Sequence, residues 1–270
     1  MKPAYPKARK RFGQNFLQDA GIIDAIISAI APEASQHLVE IGPGRGALTG
    51  PLLASGARLD VIELDRDLLP LLTAQYEQES QFRIHQADAL KVDFRQLQQN
   101  DEKLRVIGNL PYNISTPILF HLLQHADIIE DMCFMLQKEV VERICATPSS
   151  KQYGRLSVMI QCQCETAQLL SVPPEAFEPV PKVHSAIVYL RPASHFNLDN
   201  KALGALNKLV TQAFSQRRKT IANTLKNIVS QAVFEAAGIE PSQRPETISV
   251  SQYVHLQKIL AEQEKSTLTP

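Results

Sequence analysis

Residues 39–49 read VEIGPGRGALT, and the run that leads into them, HLVEI (37–41), is the kind of short apolar stretch that forms a buried strand. Three glycines come next, Gly42, Gly44 and Gly46, in G-x-G-x-G spacing, and a helical stretch then reaches Leu53. Glycine lets a turn take positive φ and lets the backbone approach a ligand closely. The same alternation continues along the chain. RLDVIEL (58–64), FRIHQAD (82–88), LRVIGN (104–109) and MCFMLQK (132–138) read as further strands, with helices from about Arg66 to Glu77 and near Thr116–Gln124. HSAIVYLRP (184–192) reads as a late strand added antiparallel. Short apolar runs separated by amphipathic helices predict an α/β fold with a mostly parallel sheet.

The grammar changes after Pro192. LGALNKLVTQAF (203–214), KTIANTLKNIV (219–229), QAVFEAAG (231–238) and VSQYVHLQKILAEQ (250–263) are helical runs, punctuated by Gly238 and Pro241. Three segments are expected: a basic arm over 1–18, an α/β domain over 19–194 and a small all-helical domain over 195–270, with the tail STLTP frayed.

Net charge is zero, from 28 basic and 28 acidic residues, but the balance is uneven. Residues 1–18 carry Lys2, Lys7, Arg9, Lys10 and Arg11 and no acid; residues 200–234 carry Lys201, Lys208, Arg217, Arg218, Lys219 and Lys226 and no acid. Two such segments at opposite ends of one chain suggest a footprint for a polyanion. No apolar run approaches the roughly 20 residues that span a bilayer. The N-terminus lacks the apolar core of a signal peptide, so a cytoplasmic protein is expected. Cys133, Cys145, Cys162 and Cys164 lack C-x-x-C spacing and read as reduced core thiols. His121 and His125, four apart on a helix, have no third ligand nearby, so no metal is expected.

Two acids downstream give the glycine turn its meaning. Glu63 ends the second strand in IELD, about twenty residues on, where an acid can accept hydrogen bonds from ribose hydroxyls. Asp88 ends the third strand in HQADAL, where an acid can accept from an adenine amine. Nicotinamide dinucleotides and S-adenosylmethionine both carry adenosine, and these residues do not separate them. A dinucleotide fold prefers G-x-G-x-x-G, and the sixth position here is Ala47.

The fourth strand separates them, because it runs into GNLPYNIST (108–116). The lone pair of an exocyclic adenine amine is delocalised into the ring. Two acceptors, the Asn109 side-chain oxygen and the Leu110 carbonyl, can bind its two N–H groups and turn the lone pair toward a methyl donor. Pro111 stiffens the turn and Tyr112 can stack on a base that has left its helix. Positioning supplies most of the catalysis, and no strong base is needed. In AFEPVPKVHSAIVYL (176–190), Phe177 could close the other face of the base and Lys182 could meet a phosphate.

The chain resembles the bacterial small-subunit ribosomal RNA adenine dimethyltransferases, the KsgA/RsmA type, across essentially its whole length. The matching segments include RKRFGQNFL (9–17), EIGPGRGALT (40–49), VIGNLPYNISTPILF (106–120), YGRLSV (153–158), FEPVPKVHSAIV (177–188) and AFSQRRKTIANTL (213–225). The resemblance implies a Rossmann-like S-adenosylmethionine-dependent methyltransferase domain followed by a small C-terminal all-helical domain. It implies N6,N6-dimethylation of two adjacent adenines in the 3′-terminal hairpin of small-subunit rRNA, within an assembling small ribosomal subunit. Nothing in the sequence suggests an obligate dimer, so a monomer is expected. Asn15, Leu17, Gly42, Gly44, Glu63, Asp88 and Asn109 match cofactor-binding positions, and Tyr112 and Phe177 match base-stacking aromatics. Arg9, Lys10, Arg11, Lys182, Arg217, Arg218 and Lys219 are the candidate RNA contacts. Rival readings are a methyltransferase of protein glutamine amides (there with Asn-Pro-Pro-Tyr, where this chain has Leu110), a non-catalytic assembly factor, a large-subunit resistance methyltransferase and a nicotinamide dehydrogenase.

Overall fold

The computed structural model describes residue 9, residues 13–216 and residues 218–268. The chain divides into two compact units, one of Met1–Val141 with Ala167–Pro192 and the other of Glu142–Thr166 with Ala193–Pro270. The second unit therefore takes in residues 142–166, which the expected boundary at 194/195 had left with the first.

In the first unit, β1 (Phe16–Leu17) precedes α1 (Ala20–Ile30), which Asp19 caps by accepting the Ile22 N–H at 2.9 Å. Then come β2 (His37–Ile41), α2 (Thr49–Leu53), β3 (Arg58–Glu63), α3 (Leu69–Tyr76), β4 (Phe82–Gln86), β5 (Leu104–Asn109), α4 (Ser115–Leu123) and β6 (Ile129–Gln137). Helix α5 (Lys138–Ile144) crosses the division into the second unit, where α6 (Arg155–Gln161) lies next in the chain. The chain returns through β7 (Cys164–Val172), β8 (Phe177–Glu178) and β9 (Ser185–Pro192).

Seven strands form one sheet in the order β4-β3-β2-β5-β6-β9-β7, parallel from β4 to β6 and antiparallel between β6 and β9. The sequence places six of these strands; β7 is not among them. All five residues of β2 are buried, as both faces of a parallel sheet require. Leu38, Leu52, Leu59, Val61, Ile107 and Met135 belong to the core beside it.

Register brings the functional ends level. Ile41 pairs Ile62, Glu63 pairs Gln86, Glu40 pairs Ile107 and Asn109 pairs Met135. Backbone bonds continue past the strand ends, from Gly42 N–H to the Ile62 carbonyl (2.9 Å), Ala87 N–H to Glu63 (3.1 Å) and Leu110 N–H to Met135 (3.2 Å). The loops after β2, β4 and β5 thus leave the sheet in fixed directions. Gly108 is required for closeness: a Cβ there would stand 2.5 Å from the Ile41 carbonyl oxygen.

The second unit is largely helical. Besides α6 it holds α7 (Asn200–Ala213), α8 (Ile221–Thr224), α9 (Gln231–Ala236) and α10 (Val250–Leu268). Phe214 meets the rings of Tyr153 and Tyr253, whose hydroxyls donate to the Ile248 and Pro245 carbonyls, both at 2.9 Å. Helix α10 runs through Leu268, into the stretch expected to fray. Cys162 caps α6 and Cys164 opens β7, and both are buried free thiols.

Candidate active site

A cavity of about 360 Å³ opens at the carboxyl ends of β2, β3, β4 and β5. That is where an open α/β sheet presents its ligand site. Its wall includes Asn15, Leu17, Gly42, Gly44, Glu63 and Asp88, together with Asn109, Leu110, Pro111 and Tyr112. Residues expected from five separate stretches of sequence thus converge on one space.

The glycine turn forms the near wall. Gly42, Gly44 and Gly46 have φ of 69°, 59° and 82°. At Gly44 a Cβ would also lie 3.1 Å from the Phe16 ring, so both backbone conformation and space require glycine there. The turn holds Glu63: its Oε2 accepts the Gly44 N–H at 3.3 Å and its Oε1 accepts the Asp65 N–H at 2.7 Å. Burial raises the Glu63 carboxyl above the ordinary glutamate range, against the pull of those backbone donors. Asp88 Oδ1 accepts the Leu90 N–H at 3.1 Å, and its other oxygen lies 3.9 Å from Lys91 Nζ.

Glu40 is a site residue that sequence reasoning missed. It lines the cavity, is 2% exposed, and accepts the Thr49 hydroxyl at 2.6 Å. An acid in the middle of an apolar strand was the available signal. Burial, reinforced by the Glu63 charge, pushes its carboxyl up to about 7. The folded value lies above the ordinary 4.5, so the native chain holds more protons than the unfolded chain between those values. The stability this provides is complete below about 4.5 and is lost as pH rises through about 7. Glu40→Gln is therefore expected to gain on the parent by up to about 3 kcal/mol between pH 4.5 and pH 8. Urea unfolding of the cofactor-free proteins at the two pH values checks this; parallel pH profiles would remove Glu40 as the titrating group.

The far wall is the turn after β5. The Asn109 amide nitrogen donates to the Asn15 carbonyl at 3.1 Å, the Tyr112 hydroxyl lies 2.9 Å from Ser185 Oγ, and the Tyr112 carbonyl accepts from Ser115 Oγ at 3.1 Å. The Tyr112 ring is thereby tethered at its tip while it lines the cavity. From the glycine turn, the Arg45 guanidinium lies 4.2 Å over the Phe16 ring and pairs with Glu178 at 3.2 Å.

Two placements depart from expectation. Phe177 is 4% exposed, pairs Leu17 across β1–β8 and belongs to the hydrophobic core, so it presents no face to the cavity. Arg9 is occupied within the chain: its guanidinium bonds Asp65 at 3.0 Å and also Asp67, which removes it as a ready phosphate contact. Lys182, Arg218 and Lys219 are all exposed at the surface. Lys10, Arg11 and Arg217 lie outside the described residues.

A profile described as Ribosomal RNA adenine dimethylase matches residues 5–262. The chain belongs to that family. Among its relatives, the Ribosomal RNA small subunit methyltransferase A of Pseudomonas aeruginosa is 56% identical over 256 residues, 95% of this chain and 96% of that protein. The protein of the same name from Saccharophagus degradans is 54% identical over 254 residues, 94% of this chain and 95% of that one. A dimethyladenosine transferase from Plasmodium falciparum superposes with a TM-score of 0.80 at 25% identity, over 92% of this chain and 98% of that one. The 23S rRNA methyltransferase ErmE does so with 0.72 at 25% identity, over 92% of this chain and all of that one. Family membership sets aside the nicotinamide and glutamine-amide readings.

The cofactor of this family member is S-adenosylmethionine, and the cavity fits it. Two buried carboxylates, Glu40 and Glu63, suit a ligand that carries a positive sulfonium and amine. Glu63 at the end of β3 and Asp88 just past β4 offer acceptors for the hydroxyl and amine donors that an adenosine carries, and the exposed Leu64 side chain offers an apolar face in the same lining. When bound, the cofactor supplies an activated methyl group; the chain supplies binding and orientation.

Proposed function

We propose that this chain dimethylates N6 of two adjacent adenines in the 3′-terminal hairpin of small-subunit rRNA, acting as a cytoplasmic monomer on an assembling small ribosomal subunit and so taking part in ribosome biogenesis. The observation that carries the reaction is the orientation of Asn109. A carbonyl oxygen can only accept, so the atom of the Asn109 amide that faces the Asn15 carbonyl is its NH₂. The side-chain oxygen is thereby the group presented to an incoming amine. The Leu110 carbonyl supplies the second acceptor, and Tyr112 supplies a ring for the flipped base.

The choice of small over large subunit rests on likeness. The small-subunit relatives share 52–56% identity with this chain, against 25% for the large-subunit enzyme. Among the described residues no helix is long and apolar enough to cross a membrane. Incubation with tritiated S-adenosylmethionine and small or large subunits that lack the modification tests the substrate. Label confined to small-subunit rRNA supports the reading. Label in large-subunit rRNA moves the chain to the resistance class, and binding without label leaves an assembly factor.

The helical unit provides the phosphate contacts in this reading. Replacing Arg217, Arg218 and Lys219 together by alanine is expected to flatten the dependence of RNA affinity on salt by up to about three phosphate contacts. An unaltered slope of log affinity against log salt would assign these side chains to solvent.

A further inference from the structure

The segment that supplies the Asn15 carbonyl is itself pinned. The Gln14 side chain is oriented by two bonds: its Oε1 accepts the Arg9 backbone N–H at 2.7 Å and its Nε2 donates to Asp65 Oδ2 at 2.9 Å. Asp65 is buried, with a side chain 3% exposed, and its Oδ1 also accepts from Arg9 (3.0 Å) and from the Asp67 N–H (3.3 Å). The Asp65 N–H in turn donates to Glu63. One residue on, the Asn15 carbonyl accepts from Asn109, and Phe16 and Leu17 enter β1. The two ends of the cavity, Glu63 and Asn109, are thus joined by a run of hydrogen bonds through Asp65, Gln14 and the backbone of Asn15.

We propose that Gln14, held by Asp65, is a positioning residue for methyl transfer: it fixes the strap of residues 13–17 so that the Asn15 carbonyl holds the Asn109 amide with its oxygen toward the substrate amine. An asparagine amide has two rotamers of similar shape that exchange oxygen and nitrogen. With the nitrogen turned into the cavity, Asn109 would offer an N–H to an amine that itself needs an acceptor. Neither Gln14 nor Asp65 touches the reacting atoms in this arrangement; each acts through the strap. The inference rests on the proposed methylation of an adenine amine at this site.

Exchanging donor and acceptor tests it. Gln14→Glu sets a carboxylate against the Asp65 carboxylate. Adding Asp65→Asn restores a hydrogen bond in the reverse direction while keeping an acceptor for Arg9. Two readouts are compared for parent, single and double variants at pH 8, where a proton shared between the acids will not hide their repulsion. The first is hydrogen exchange of residues 13–18 in the cofactor-free protein, which includes the Gln18 amide bonded to the Ala176 carbonyl at 2.9 Å. The second is the steady-state split of kcat from KM for RNA.

The single variant is expected to exchange faster over the strap and to lose about tenfold or more in kcat, with KM for RNA within about threefold; the double variant is expected to return toward the parent in both. The proposal is overturned if Gln14→Glu exchanges faster yet transfers methyl at the parental rate, if neither readout moves, or if the double variant fails to recover kcat. A fall in kcat accompanied by global loss of exchange protection would also overturn it, since that is the mark of a purely structural role. Failure of the underlying reaction looks different, because it appears in the parent itself as an absence of methyl transfer while strap exchange still responds to the variants.

Discussion

Asn109→Ala is expected to lower the rate of adenine methylation by about 10²–10³-fold or more, the cost of removing one preorganised polar group aimed at the reacting centre. Cofactor affinity is expected to change by less than about threefold, because the proposal gives Asn109 mainly the orientation of the amine and gives cofactor binding to the acids at the other wall. Asn109→Asp sharpens the reading. It keeps an oxygen for the amine but loses the N–H that bonds the Asn15 carbonyl at 3.1 Å, so two oxygens face each other. If Asn109 served only as an acceptor, the aspartate variant would retain most of the activity. If orientation by the strap matters, it falls nearly as far as the alanine variant. Single-turnover rates with saturating cofactor make the comparison, and parental rates in Asn109→Ala would remove this residue from the mechanism.

Glu63→Ala is expected to weaken S-adenosylmethionine binding by roughly 1–3 kcal/mol, the range for loss of a hydrogen bond to a charged acceptor. Two backbone donors, the N–H groups of Gly44 and Asp65, also lose their partner in that variant. The loss therefore includes some loosening of the glycine turn. Glu63→Gln keeps one acceptor oxygen and is expected to fall between the two. Because burial holds the Glu63 carboxyl above its ordinary range, parental affinity should decline as pH is lowered toward that raised value, where protonation removes the charged acceptor. Glu63→Ala should show a smaller decline, what remains being due to Glu40 in the same cavity. Calorimetric titration across pH gives both results, and unchanged affinity in Glu63→Ala would withdraw the ribose assignment.

Much of the first unit was legible because its information is local. The apolar runs that became β2, β3, β4, β5, β6 and β9 are short and bounded by turn residues, and parallel strands buried on both faces leave such runs. The stretch from Lys138 to Val172 was less legible. There α5, α6 and β7 succeed one another, and the long β7 is exposed at five of its nine positions and half-buried at two more, so it has no clean apolar run. The membership of residues 142–166 in the second unit was hidden for a different reason, since a unit built from two separated segments is defined by packing and not by adjacency.

The cavity divides in the same way. Gly42, Gly44, Glu63, Asp88 and Asn109 belong to turns at strand ends, where residue type reports function directly. Phe177 shows the limit of that logic. An aromatic before a Pro-x-Pro turn serves equally as a stacking face or as core, and burial at 4% places it in the core. The bonds that organise the strap join residues far apart in sequence, Gln14 with Asp65 and Asn15 with Asn109, and one partner is a backbone carbonyl that has no side-chain signature.

The most direct test of the central claim is mass-spectrometric nucleoside analysis of small-subunit rRNA after exhaustive reaction of immature subunits with S-adenosylmethionine and this protein. The expected result is N6,N6-dimethyladenosine at two adjacent positions of the 3′-terminal hairpin, with no other modified base. Methylation at a ring nitrogen, at a ribose hydroxyl or on a ribosomal protein would contradict it, because the proposal assigns the Asn109 oxygen and the Leu110 carbonyl to hold a planar exocyclic amine.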